Sequence, residues 1–258
     1  MAVLVMLLSL FVIVFAYMTL WFEIALKSKR YDVVDSAWGL GFVVIAWAAI
    51  AVRGQVHLIG VLSALLVSLW GLRLCYHISR RNWHKSEDKR YTELRQKWGS
   101  KEHIKAFTNV FLLQGILLLL ISSPVIAIAS NVPSQATILT IVGFAVWLFG
   151  ILFEAVADYQ LGRFLKQRAA GSHALMQSGL WRFSRHPNYF GEITVWWGAA
   201  LVAISFEQWW GIAGALLITI LITKVSGIPP IEKHYAGNPE FETYKRRTSV
   251  LIPLPPRK

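Results

Sequence analysis

Five apolar runs of about 20 residues, the length at which a helix crosses a hydrocarbon core, constrain this chain more than anything else in it. They cover Val3 to Leu26, Val33 to Val52, Leu58 to Ile78, Phe107 to Ala129 and Ala136 to Ala157. A longer stretch from Phe190 to Thr223 divides at the polar pair Glu207-Gln208 into two short spans, near 190–206 and 209–223. The expectation is an all-α polytopic membrane bundle of about seven helices. Composition agrees: 55% of the 258 residues are hydrophobic and 16% charged, too apolar for a soluble domain. No internal repeat or low-complexity tract interrupts the pattern, and extended polar segments are confined to Ser79 to Lys105 and Ser226 to Lys258. Residues 1–258 read as one integral-membrane domain.

The basic residues fall on one side of this arrangement. With the N-terminus outside, the inner segments hold Lys27, Lys29 and Arg30, then the cations from Arg80 to Lys105. Next come Arg163, Lys166, Arg168, Arg182 and Arg185, and finally Lys224 and the basic tail, whereas the outer loops hold only Arg53. Such asymmetry is the positive-inside pattern and predicts an N-out, C-in orientation. It also accounts for a net charge of +12. In a soluble protein that excess suggests nucleic acid; here it reads as orientation and contact with anionic lipids, with room for an anionic ligand, and no nucleic-acid partner is expected.

Cys75 is the single cysteine, which excludes a disulfide framework and a cysteine-based zinc site. His77, His103 and His173 lack a metal-ligand spacing, so no metal is assigned. The first apolar run exceeds a signal-peptide core, follows no basic segment and is itself followed by basic residues, so it is expected to be a retained span.

Ionisable residues within spans are costly and are functional candidates by default. Here they are Glu23, Asp35, Arg73, His77, Glu154, Asp158 and Glu192, all at the inner ends of their spans in this topology. One shared polar pocket would explain them together; an interfacial position would explain each alone. Glu154 and Asp158 share a helix face at four-residue spacing, as Arg73, Tyr76, His77 and Arg80 do at three or four. The two faces are opposite in charge and could also pair for structure alone.

Residues 181–192, WRFSRHPNYFGE, place polar and aromatic groups where the sixth span begins. Ser184 or His186 occupies an N-cap position, Pro187 suits the first turn, and Asn188 and Glu192 then share a face. Free N–H groups at this helix end, with Arg182, Arg185 and His186 around it, make a cradle for a phosphate. A basic anchor with an aromatic belt is the simpler reading, and it leaves Asn188 and Glu192 unexplained.

These residues carry a family resemblance. GLWRFSRHPNYFGEITVWWG, from Gly179 to Gly198, resembles the core motif of the steroid 5α-reductase-like and sterol-reductase membrane enzymes, particularly their bacterial branch. FEAVADYQLGRF from Phe153, SGIPPIEKHY from Ser226, ETYKRRTSVLIPLPP from Glu242, VDSAWG from Val34 and RRNWHKSEDKRY from Arg80 extend the likeness over most of the chain. Residues 153–255 are its most specific part.

The resemblance implies a seven-helix membrane reductase in which NADPH, bound from the cytosolic side, gives hydride to the β-carbon of a lipid enone. It would lie in the inner membrane of a bacterium or the endoplasmic reticulum of a eukaryote, with a steroid-like or polyprenoid substrate and membrane lipids as partners. By motif position, Asn188, Asp158 and Tyr235 resemble cofactor contacts, and Glu192 resembles the glutamate beneath the site. Glu154, Arg163, Arg168, Arg185, His186 and Arg247 join them as candidate cofactor-binding residues. Tyr76 resembles the substrate tyrosine, and Asp35 replaces the acid and amide of the steroid enzymes, whose glutamine-glutamate pair is missing. Hydride addition leaves charge on the substrate's carbonyl oxygen, so a donor must face that atom. No GxGxxG follows a strand pattern, so the dinucleotide would be held by helix ends and side chains rather than by a Rossmann site. Isoprenylcysteine carboxyl methyltransferases share an RHP-Y-G segment, so an S-adenosylmethionine-dependent methyltransferase is the alternative; a lipid- or sterol-binding protein without catalysis is another.

Overall fold

The computed structural model describes residues 2–82, 85–131, 135–168 and 174–257. His173, Trp83 and His84 lie outside them. The described residues form helices α1 (Ala2–Ser28), α2 (Val33–Arg53), α3 (Leu58–Asn82), α4 (Lys89–Trp98), α5 (Glu102–Ala106), α6 (Leu113–Ile121) and α7 (Ser123–Ser130). They continue with α8 (Ile138–Gln167), α9 (Pro187–Ile204), α10 (Ile212–Ile220), α11 (Ile228–His234) and α12 (Pro239–Arg247). In lipid each backbone N–H and C=O must be satisfied within its own segment, which is why apolar runs of this length become helices. The protein is a polytopic helical membrane protein.

Among the described residues, six helical stretches have the length and apolarity to cross a membrane. They are Val3–Ser28, Val33–Arg53, Leu58–Asn82, Lys89–Ile121, Ile138–Gln167 and Trp209–His234. The segment expected as the sixth of about seven spans is also helical, as α9, but Asn188 and Glu192 in its first turns keep it below the apolarity of the other six. Several boundaries differ from the apolar runs, and two of them have a local cause. The fourth run is continuous in sequence, yet its helix breaks at Ser122, where Pro124 brings no N–H to the next helix. The fifth ends at Gln167 rather than Ala157, because Asp158, Gln160, Arg163 and Lys166 propagate a helix that the lipid core alone does not require.

The chain divides into two compact units, Met1–Ala136 with Phe206–Ala213, and Thr137–Ser205 with Gly214–Lys258. In the first, α2 and α3 approach until a Cβ at Gly39 or Gly71 would strike the other's carbonyl oxygen. Small residues thus do in the membrane what apolar burial does in water, because lipid is as greasy as leucine and close van der Waals packing is what remains. The Tyr17 hydroxyl donates to the Ala37 carbonyl at 2.7 Å, and Trp47 Nε1 to Ser68 Oγ at 3.0 Å, fixing α2 against α1 and α3.

In the second unit, α8 and α9 form a tightly packed antiparallel pair. A Cβ added at Gly150 would sit 2.6 Å from the Val195 nitrogen, one at Gly191 2.6 Å from the Glu154 nitrogen, and one at Gly143 2.8 Å from the Val202 nitrogen. Gly198 lies equally close to the Trp147 backbone. These four glycines set the register of the hairpin, and the register positions the polar residues below.

Candidate functional site

With Gly191 opposite Glu154, the antiparallel register continues to bring Asp158 level with Pro187 and Asn188. Glu154 and Asp158 on α8 and Asn188 and Glu192 on α9 therefore occupy the same end of one helix pair. Glu154 is buried, while Asp158, Asn188 and Glu192 are half-buried. The Asn188 Oδ1 atom is buried with no hydrogen-bond partner. Such an atom loses its water without compensation, at a cost of roughly 1–3 kcal/mol, so it marks a place where a donor is missing. Phe153 and Phe190 close the pair beside it, with ring centroids 5.2 Å apart.

The turn entering α9 is anchored on the C-terminal segment. Arg185 is 8% exposed and Glu232 18%. Arg185 donates from Nε at 2.9 Å and Nη2 at 2.7 Å to Glu232 Oε1, and from Nη1 to the carbonyls of Thr248 at 2.6 Å and Lys245 at 3.2 Å. Four bonds inside the protein occupy a guanidinium that the sequence suggested for a phosphate. The Arg185 backbone N–H donates to the Ser249 carbonyl at 2.8 Å, Leu254 N–H to the Phe183 carbonyl at 3.0 Å, and the buried Tyr244 hydroxyl to the Trp181 carbonyl. His186 caps α9 without a side-chain cap bond; its ring stacks on Tyr189 at 5.7 Å, and its Nε2 lies 3.4 Å from Glu232 Oε1. Burial holds the imidazole below its ordinary range and outweighs the nearby Glu232 carboxylate, which pulls the other way. Pro187 stands at the first turn, as the sequence indicates.

A cavity of about 260 Å³ lies among Arg168, His234, Tyr235, Ala236 and Asn238. It unites two residues chosen from sequence, Arg168 after α8 and Tyr235 after α11. Tyr235 packs between His234 and Phe241, at centroid distances of 5.1 and 5.4 Å. Asn238 caps α12 through Oδ1, which accepts from the N–H groups of Glu240 at 2.9 Å and Phe241 at 3.2 Å. Arg163 and Arg247 are exposed, and neither lines this cavity.

In the first unit the other two candidates have different hydrogen-bond partners. Asp35 accepts from the Tyr91 hydroxyl at 2.7 Å and from Arg90 Nη2 at 3.4 Å. Tyr76 is 63% exposed, and its hydroxyl accepts from Arg80 Nη1 at 2.9 Å, one helical turn away. The phenol that accompanies Asp35 is thus Tyr91, which the sequence reading passed over because it lies in a polar segment rather than on a span. Glu232, within the SGIPPIEKHY stretch, is the carboxylate that organises the turn before α9. Asn238 was also missed, although an Asn-Pro pair ahead of a polar helix is a legible N-cap signal.

Residues 21–248 match the family described as "Protein of unknown function (DUF1295)". Curated relatives include "3-oxo-5-alpha-steroid 4-dehydrogenase 1" of Rattus norvegicus, 30% identical over 113 residues, which are 43% of this chain and 40% of the relative. The Macaca fascicularis protein of that name is 31% identical over 114 residues, 44% of this chain and 40% of the relative. The Homo sapiens protein is 30% identical over 114 residues, 44% and 41%. The match spans about two fifths of these relatives' length. No solved structure matches.

Proposed function

The chain belongs to the DUF1295 family, a steroid 5α-reductase-like membrane family, and from that premise we propose that it is an NADPH-dependent reductase of an enone carried by a steroid-like or other lipid. The observation that carries the proposal is the orphaned Asn188 Oδ1, buried at the polar end of the α8–α9 pair. A carboxamide N–H, the group by which a nicotinamide ring is oriented, is the donor this oxygen lacks. The residues therefore fit the cofactor, and its chemistry when bound is hydride donation.

The chain's own groups supply position and charge. Asn188 orients the ring, with Asp158 and Glu192 beside it on the hairpin. Tyr235 and Arg168, on the cavity near α11, hold the remainder of the dinucleotide, Arg168 through its cationic fork. Arg185 and His186 act through Glu232, holding the entry of α9 in place so that Asn188 faces inward. In the membrane, the basic helix ends and the site would face the cytosol, with the N-terminus outside.

The test is thermal stabilisation of the purified protein by NADPH and by S-adenosylmethionine, followed by incubation with a panel of lipid enones and a search for a two-hydrogen mass gain. Asn188→Ala and Glu192→Gln should abolish the NADPH effect or turnover while the variants stay folded. Stabilisation by S-adenosylmethionine alone would replace the reductase with a methyltransferase. Wild-type turnover in both variants would remove these residues from the site.

A further inference from the structure

In the second unit the chain leaves α12 at Thr248 and runs back along the entry of α9. The Arg185 N–H donates to the Ser249 carbonyl at 2.8 Å, and the Leu254 N–H to the Phe183 carbonyl at 3.0 Å. The Arg257 N–H closes the segment on the Arg247 carbonyl at 2.8 Å. These backbone bonds hold residues 249–257 as a strap against the turn that precedes α9. The turn itself is fixed in height, because the Trp181 indole donates to the Ala157 carbonyl at 3.1 Å and α9 begins at Pro187. The strap therefore lies where α8 and α9 pass from polar to apolar sequence.

A segment at that height would carry polar side chains outward if it faced only water. Instead Val250, Ile252 and Leu254 are exposed, Ile252 by 60%, with Leu251 and Pro253 half-buried between them. Phe183, whose carbonyl holds Leu254, is exposed as well. A backbone tied down on one side thus turns four large apolar side chains to the other, and a patch of this kind marks a contact surface.

Basic residues border the patch. Arg182 directly precedes Phe183, Lys245, Arg246 and Arg247 form the last turn of α12, and Arg257 is bonded beside Arg247. None of the five makes an ion pair among the described residues. The first turn of α12 holds two carboxylates, Glu240 and Glu242, and Glu240 already accepts from Gln177 Nε2 at 2.8 Å. Five cations against two carboxylates leave an excess of three positive charges.

Exposed aliphatic side chains beside surplus cations, at the end of an apolar helix pair, match the layer where acyl chains meet anionic head groups. We propose that the strap of residues 249–257 is a membrane-surface anchor: Val250, Ile252 and Leu254 enter the interface, and the bordering cations hold acidic phospholipid head groups. The Thr248 and Ser249 carbonyls of this stretch bond Arg185, so a docked strap also steadies the entry of α9.

The experiment uses the full chain with Cys75→Ser, so that Ile252→Cys or Leu254→Cys carries an environment-sensitive fluorophore at a single thiol. Each labelled protein is placed in vesicles of phosphatidylcholine, alone or with an equal part of phosphatidylglycerol. Quenching is read from nitroxide on the acyl chains and from iodide in the water, with the chain unfolded in denaturant as the reference for full access. Both labels should be quenched by the nitroxide and shielded from iodide, more strongly in the acidic vesicles. Arg246→Gln with Arg247→Gln, both at exposed positions, should raise iodide access in the acidic vesicles about fivefold or more, the effect of losing cations at an anionic surface, and leave the phosphatidylcholine value unchanged. Iodide access equal to that of the unfolded chain, or equal shielding in the two lipid mixtures, overturns the proposal. So does shielding that appears only as the amount of protein per vesicle rises, which gives the surface to a second copy of the chain.

Discussion

Removing Arg185 isolates what holds the entry of α9. Arg185→Met keeps much of the stem's volume while deleting four hydrogen bonds, two to Glu232 and two to the carbonyls of Lys245 and Thr248. Truncating one partner of a buried ion pair costs roughly 3–5 kcal/mol, because the remaining charge stays buried. Glu232 keeps 18% exposure and can recruit water, which places the expected loss near the lower end, about 3 kcal/mol. Glu232→Leu alone should cost a similar amount by stranding the guanidinium. Together the two substitutions leave no buried charge, so the double variant should lose less than the sum of the singles, with a coupling of about 2 kcal/mol, within the usual range for contacting residues. Reversible denaturation in detergent, followed by reaction of the single cysteine, Cys75, with a thiol dye, gives each value. Strict additivity, or a cost below about 1 kcal/mol for Arg185→Met, would show that the pair behaves as a surface contact and that another element positions Asn188.

The hairpin register makes Gly191→Ala severe for so small a change: the new Cβ meets the Glu154 nitrogen at 2.6 Å, and overpacking against backbone costs about 1–3 kcal/mol or more, read in the same denaturation assay. Gly237→Ala, at φ 84° but with open space around it, should cost about 1 kcal/mol by strain alone, and an equal effect at the two positions would refute the close-approach argument. The lowered His186 pKa predicts acid sensitivity. The unfolded chain binds the proton near the ordinary histidine value of about 6.5 and the folded chain only at lower pH, so stability present above that value is lost as pH falls below it. The apparent melting temperature should drop between pH 8 and pH 5.5, and less so in His186→Gln; an identical drop in that variant would locate the effect elsewhere.

Much of the polar site could be read from spacing. Asn188 and Glu192, like Glu154 and Asp158, share a face because helices repeat every 3.6 residues, and Pro187 marks a helix start by chemistry local to itself. What spacing could not reveal was how donors are spent. Arg185 looked like a phosphate ligand beside a helix end, and only the arrival of Glu232 and the Lys245 and Thr248 carbonyls, far along the chain, shows its bonds directed inward. Tyr76 was chosen for its place on a span and Tyr91, in a polar segment, was passed over, whereas the fold exposes the first and sets the second against Asp35.

The sequence by itself determined that the chain is a helical membrane protein and where its apolar helices begin, since lipid imposes a length and a polarity that any such run must meet. It also placed the residues of each helix face relative to one another. Tertiary structure alone decided which glycines let α8 and α9 touch, which charges neutralise each other, and that Asn188 keeps a buried oxygen without a donor. Those outcomes depend on contacts between residues distant in the chain, and no local periodicity encodes them.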